Sequence, residues 1–185
     1  MKISTVFLDR DGVLNVDQPD YLLSIDDVKI QRGVPGALKK LNDAGIHVIV
    51  VSNQAGIGKE LISRRAAEQI FEEVIRRAEV KGGHINGYYY CPHAPDDGCN
   101  CRKPEIGMFL RAKREHSIIM EEAVFVGDGF GDARAAKRLK IPFYLVKQGW
   151  GPVTKVKCDV ADVLYIQVKH LQDAVDKILA LKESE

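Results

Sequence analysis

Two aspartates, Asp9 and Asp11, stand two positions apart directly after the apolar run Val6-Phe7-Leu8, with Gly12 behind them. Such a pair can be no more than a polar turn, because short carboxylate side chains bond their own backbone at the ends of strands. A calcium loop would need its glycine at the sixth position and a glutamate at the twelfth. Here Gly12 falls fourth and Asp20 twelfth, so that frame fails. The chemical alternative is a carboxylate nucleophile beside an acid/base carboxylate, with a divalent cation tempering the repulsion between Asp9 and an approaching phosphate. Further along, Gly127-Asp128 follows another apolar run, and Asp132 is placed either to cap the next helix or to touch a metal.

A second cluster joins Cys91, His93, Cys99 and Cys101 in one short segment. Three sulfurs and an imidazole suit a tetrahedral zinc site, and four protein ligands close it to water, which makes it structural rather than catalytic. Their crowding favours metal over disulfides. Arg102 and Lys103 follow at once, so a metal-braced loop would hold two cations at a fixed place, as phosphate binding requires. Two glycine patterns are false leads. Gly56-Ile57-Gly58-Lys59 has Asn53 and Glu60 where a P-loop needs Gly and Ser or Thr, and Gly127, Gly129 and Gly131 put Asp132 where a dinucleotide loop needs its last glycine.

The elements that must position these residues alternate. Ile3 to Leu8, His47 to Val51, Ile85 to Tyr90, Ala123 to Val126 and Pro142 to Val146 read as strands from their apolar, β-rich runs. Between them, Val34 to Ala44 reads as a helix entered at Pro35, and a second is capped by Ser63 and runs to about Val80. Ile106 to Glu115, Ala133 to Leu139 and Leu171 to Leu181 complete the helices, ahead of a charged tail. This order predicts an α/β fold, a Rossmann-like three-layer sandwich around a mainly parallel sheet, as one domain over residues 1–185 with a zinc-binding loop at 91–101. In open parallel sheets the ligand crevice lies at the carboxyl ends of the strands. Asp9, Ser52, Cys91 to Lys103 and Asp128 all fall there.

Lys and Arg number 27 against 26 Asp and Glu, a net charge of +1. A general polyanion binder would carry a basic excess, so no nucleic-acid partner is expected. No apolar run approaches the ~18 residues that a membrane span requires, and the first residues lack a signal-peptide pattern. The expectation is a soluble, cytoplasmic, monomeric protein.

Taken jointly, Asp9-Arg10-Asp11-Gly12-Val13, Ser52-Asn53-Gln54, Lys103, and Gly127-Asp128 with Asp132 resemble the four motifs of the haloacid dehalogenase superfamily of phosphotransferases, in order, from about Thr5 to Leu145. Within it, Asp-Arg-Asp-Gly and a loop ending Cys-x-Cys-Arg-Lys-Pro resemble the D-glycero-D-manno-heptose 1,7-bisphosphate 7-phosphatases and the related histidinol-phosphate phosphatases. The resemblance implies in-line attack by Asp9, an aspartyl phosphate, and acid/base work by Asp11. It implies Mg²⁺ on Asp9, Asp128 and the Asp11 carbonyl, and Ser52 and Lys103 on the phosphoryl oxygens. Neither gap between motifs leaves room for a cap domain, so selection falls to the loops around Asn15 to Arg32, Gln54 to Glu60 and the zinc loop. Asn53, Lys59 and Arg102 become the candidate substrate contacts, Lys59 having a purely solvated surface cation as its alternative. Several heptose-bisphosphate phosphatases have a longer zinc loop, an Arg near Lys59 and a polar or basic residue at the place of Gly129, all differences at the mouth. The implied substrate is a small phosphorylated sugar cleaved at C7, with histidinol phosphate or a nucleic-acid 3′-phosphate as alternatives, and a zinc-stabilised binding module as the reading from another class.

Overall fold

The computed structural model describes residues 2–18 and 21–183; Asp20 of the rejected calcium frame and the end of the charged tail lie outside them. Among these residues six strands form one sheet, β1 (Thr5–Leu8), β2 (His47–Asn53), β3 (Gly87–Cys91), β4 (Ala123–Gly127), β5 (Phe143–Val146) and β6 (Ile166–Val168), in the order β3-β2-β1-β4-β5-β6. Every pairing is parallel. Among the described residues seven α-helices flank the sheet: α1 (Val34–Asp43), α2 (Ala55–Gly58), α3 (Arg64–Ala78), α4 (Gly107–His116), α5 (Phe130–Leu139), α6 (Gly151–Val160) and α7 (Leu171–Glu183). The α/β sandwich expected from the alternation is thus present, with β6, α2 and α6 added to it.

Strand residues alternate between two cores, which is the period-2 signature of a sheet covered on both faces. Val6, Leu8, Val48, Val50, Val124 and Val126 face the side of α1, α3 and α7, while Phe7, Ile49, Val51, Phe125, Phe143 and Leu145 face α4 and α5. On the second face Phe109 meets Phe7 and Phe125 edge-on, with ring centroids 4.9 and 5.1 Å apart. Among the described residues no helix is long and apolar enough to cross a membrane.

The strand order reverses direction between β1 and β4, the point at which open α/β sheets leave a crevice beyond their carboxyl ends. Asp9 follows β1, and its amide donates to Val126 O of β4 at 3.0 Å, which closes the two strand ends over one spot.

Candidate active site

A cavity of about 420 Å³ opens at that spot, lined by Asp9, Asp11, Ser52, Asn53, Arg102, Lys103, Asp128 and Asp132 among others. The structure therefore brings together the expected residues of all four strand ends. Lys59 lies outside this lining, with its Nζ 5.5 Å from the ring centre of Tyr21, which does line the cavity.

Lys103 is the electrostatic centre. It is buried, and its ammonium donates to Asp9 Oδ1 at 2.8 Å, Asp132 Oδ1 at 2.7 Å and the Val51 carbonyl at 2.8 Å. Those three bonds use all the hydrogens that an ammonium has. Burial alone would favour neutral Lys103, but the two carboxylates outweigh it and raise its pKa above the ordinary lysine value. Asn53 holds the same residue from behind: its amide accepts from Lys103 N at 2.9 Å and donates to Lys103 O at 3.1 Å. Both ends of that side chain are thus spent on the backbone of Lys103. Asp132 takes the capping role open to it in sequence, its Oδ2 accepting from Gly129 N at 2.9 Å at the start of α5, and its Oδ1 holds Lys103, a partner the sequence did not indicate.

Asp9 and Asp128 are the strained carboxylates. Burial drives Asp9 up to about 7, Lys103 opposing and Asp132 and Asp11 adding to the rise. Burial likewise drives Asp128 up to about 8, with repulsion from Asp9 and Asp132 behind it. Carboxylate oxygens of Asp9, Asp128 and Asp132 lie within 4.8 Å of one another. Three hard oxygen donors with one lysine between them carry surplus negative charge, and this fits a small divalent cation. Asp128 itself is clamped between two glycines. Gly12 (φ +76°) and Gly149 (φ +56°) lie so close that a Cβ on either would sit 2.2 Å from Asp128 Oδ2.

Asp11 is treated differently. Arg10 is 2% exposed and lays its guanidinium on Asp11 through Nε at 3.1 Å and Nη2 at 2.8–2.9 Å, with Phe71 packed 5.1 Å from its centre. Asn15 donates to Asp11 Oδ1 at 3.0 Å, and Gln54 Nε2 bridges Asp11 Oδ2 at 3.1 Å and Ser52 Oγ at 2.8 Å. Burial would raise Asp11, but Arg10 and these amides overcome it and hold the carboxyl below its ordinary pKa. The sequence placed Arg10 and Gln54 within the motifs but assigned neither a role of its own. The signal for those roles was their place in the motifs, beside Asp11 and Ser52.

The second cluster is assembled too. Sγ atoms of Cys91, Cys99 and Cys101 lie 3.2–3.6 Å apart, and His93 Nδ1 lies 3.3–3.4 Å from Cys91 and Cys101. Ligands at about 2.3 Å from a tetrahedral centre would be separated by roughly 3.8 Å, so this knot fits one zinc. Directly after it, Arg102 lines the cavity with its Nη1 buried and without a hydrogen-bond partner, which fits an anion there.

The sequence profile of the polynucleotide kinase 3 phosphatase family matches residues 8–170. The chain is 36% identical over 152 residues to a D-glycero-beta-D-manno-heptose-1,7-bisphosphate 7-phosphatase of Pseudomonas aeruginosa, covering 82% of this chain and 85% of that one. It is 34% identical over 183 residues to a relative of the same description from Photorhabdus laumondii, covering 95% and 97%. Among solved structures, the D,D-heptose 1,7-bisphosphate phosphatase from B. bronchiseptica, complexed with magnesium and phosphate, superposes with a TM-score of 0.89 at 28% identity, covering 97% of this chain and 99% of that one. With the profile matched over most of its length and relatives above 30% identity, the chain belongs to the polynucleotide kinase 3 phosphatase family, phosphatases of the haloacid dehalogenase type.

Proposed function

We propose that this protein is a Mg²⁺-dependent phosphatase that removes the C7 phosphate of D-glycero-D-manno-heptose 1,7-bisphosphate through an aspartyl phosphate. The observation that carries the reading is the convergence of Asp9, Ser52, Lys103 and Asp128 from four strand ends on one cavity. The names of the relatives supply the sugar.

In this reading Asp9 is the nucleophile. Both bonds to its carboxylate, from Arg10 N at 2.8 Å and Lys103 Nζ at 2.8 Å, fall on Oδ1, so the group is oriented before substrate arrives. Lys103 and Ser52 take the phosphoryl oxygens, and Asn53 and Asp132 fix Lys103 in place. Asp11 protonates the departing sugar oxygen and then takes a proton from the attacking water. Its bonds to Arg10, Asn15 and Gln54 favour the ionised form that the second step needs. Asp9 and Asp128, with the Asp11 carbonyl, would hold Mg²⁺, which when bound supplies charge neutralisation at the phosphoryl group. Cys91, His93, Cys99 and Cys101 would hold a structural zinc. Arg102 would meet an anionic group of the substrate.

The test is phosphate release with Mg²⁺ from the heptose bisphosphate, histidinol phosphate and a DNA 3′-phosphate, together with the Asp9→Asn variant. The expected result is highest kcat/KM on the bisphosphate and a loss of about 10⁴-fold or more in Asp9→Asn. A higher kcat/KM on histidinol phosphate or on the DNA end would overturn the heptose assignment, and undiminished turnover by Asp9→Asn would overturn the mechanism.

A further inference from the structure

The reacting groups account for the floor of the cavity and leave one wall unexplained. Asp17, Tyr21 and Trp150 line it without any part in phosphoryl transfer. Trp150 follows β5, a strand end that supplies no reacting group, and its backbone amide donates to Asp128 Oδ2 at 2.9 Å. The close fit of Gly149 on Asp128 fixes the peptide just before it. The main chain of Trp150 is thus anchored on the carboxylate at the back of the site, yet the residue is 58% exposed. Its side chain lies near enough to Asp17 to act on that carboxylate, and both residues line the cavity. Asp17 Oδ1 accepts from Gln18 N at 3.0 Å, so the β1–α1 and β5–α6 loops present one oriented carboxylate and one indole to the same mouth.

We propose that Trp150 and Asp17 form the subsite for the sugar ring of the leaving group, an inference that rests on the sugar-bisphosphate reading above. The C–H face of a pyranose carries weak positive charge and matches the negative face of an indole, while a carboxylate at the ring's edge accepts from its hydroxyls. The negative charge of Asp17 also repels a second phosphate, which leaves the cations on other loops, Arg102 and Lys59, to receive it. The backbone that carries the indole is fixed before the sugar arrives, so the main chain needs little ordering on binding.

Trp150 is the only tryptophan in the chain, so its fluorescence reads this subsite alone. The experiment measures kcat and KM for the heptose bisphosphate and for acetyl phosphate, which has no ring, in the wild type, Trp150→Ala, Trp150→Phe and Asp17→Asn. Wild-type emission is also followed during titration with heptose 1-phosphate and with inorganic phosphate. The expected result is a KM for the bisphosphate raised in Trp150→Ala by about tenfold more than that for acetyl phosphate, with most of the loss recovered in Trp150→Phe. Asp17→Asn should raise the same KM selectively, and heptose 1-phosphate, but not inorganic phosphate, should shift the emission. Equal losses on both substrates would assign Trp150 to support of Asp128 and overturn the subsite. So would an unchanged emission at saturating heptose 1-phosphate, which decides the matter even if Trp150→Ala fails to fold. A wild type that hydrolyses acetyl phosphate but not the bisphosphate overturns the sugar reading itself, a distinct failure.

Discussion

Lys103 concentrates the problem that the site has to solve, which is to keep a buried cation charged and aimed at an incoming anion. Burial alone would neutralise it, and Asp9, Asp132 and the Val51 carbonyl prevent that. In the proposed mechanism Asp132 would therefore let Asp9 share Lys103 with the substrate. Replacing Asp132 by Ala leaves a buried ammonium short of a partner, a loss that costs about 3–5 kcal/mol when a buried pair is broken. The expected outcome is a lower midpoint in chemical denaturation and a kcat reduced about 10–100-fold, as for groups that orient reacting ones; stability and turnover equal to the wild type would remove Asp132 from this role. Lys103→Ala should lose about 10²–10³ in kcat, since it removes an electrostatic donor to the transferring group. At this scale the sequence was informative where a residue type and a strand end coincided, as at Asp9, Ser52, Lys103 and Asp128. It said little about Arg10, because a charged residue with 2% exposure is exceptional and only the three-dimensional fork on Asp11 accounts for it. Asn53 shows the converse. Its place in the motif was legible, whereas its hold on the Lys103 backbone depends on a contact 50 residues away.

The elements differ in how openly their sequences declare them. The runs at His47 to Val51 and Ala123 to Val126 are continuous and β-branched or aromatic because both faces of those strands are covered. By contrast α6 begins Gly-Pro, exposes Val153, Val156 and Val160 and buries Thr154 and Cys158, an inversion of the usual apolar pattern that hides a helix from periodicity. At three residues β6 is too short to show alternation. Helix α3 carries a testable latch to the loop before α1: Arg77 donates to Val28 O at 2.7 Å while Glu73 pairs with Arg77 at 2.5 Å and Arg76 at 2.7 Å. Hydrogen bonds from Arg76 and Arg77 lower Glu73 from its ordinary 4.5 to about 2. A depressed carboxylate stabilises the fold fully above its unfolded pKa, and the contribution is lost as pH falls through the folded value. The wild type should therefore melt above Glu73→Gln at pH 6, with the gap narrowing as pH falls from about 4.5 towards 2. A gap that stays constant over that window would show that the latch does not act through charge.

Across the whole molecule, the floor of the cavity and the Cys/His knot are one mechanical unit. Cys91 ends β3, pairs in register with Asn53 of β2, and its carbonyl accepts from Gln54 N at 2.8 Å. The same chain then makes the knot, passes Arg102 and reaches Lys103, which Asn53 holds by its backbone, before Gly107 N closes the loop on Asn100 O at 3.0 Å and starts α4. Zinc in the knot would thus fix the register of Lys103 against Asp9 without itself entering the proposed reaction. Elemental analysis should find one zinc per chain, and strong chelation should lower the melting temperature and reduce kcat at least about tenfold at saturating Mg²⁺. Returning zinc, but not more Mg²⁺, should restore both. The fourth cysteine, Cys158, is buried on α6 away from the knot, so Cys158→Ser should keep its zinc while Cys99→Ser should lose it. If the zinc-free protein kept full activity, Lys103 would have to be held by Asn53, Asp132 and the sheet alone, and the knot would be left with a role in stability only.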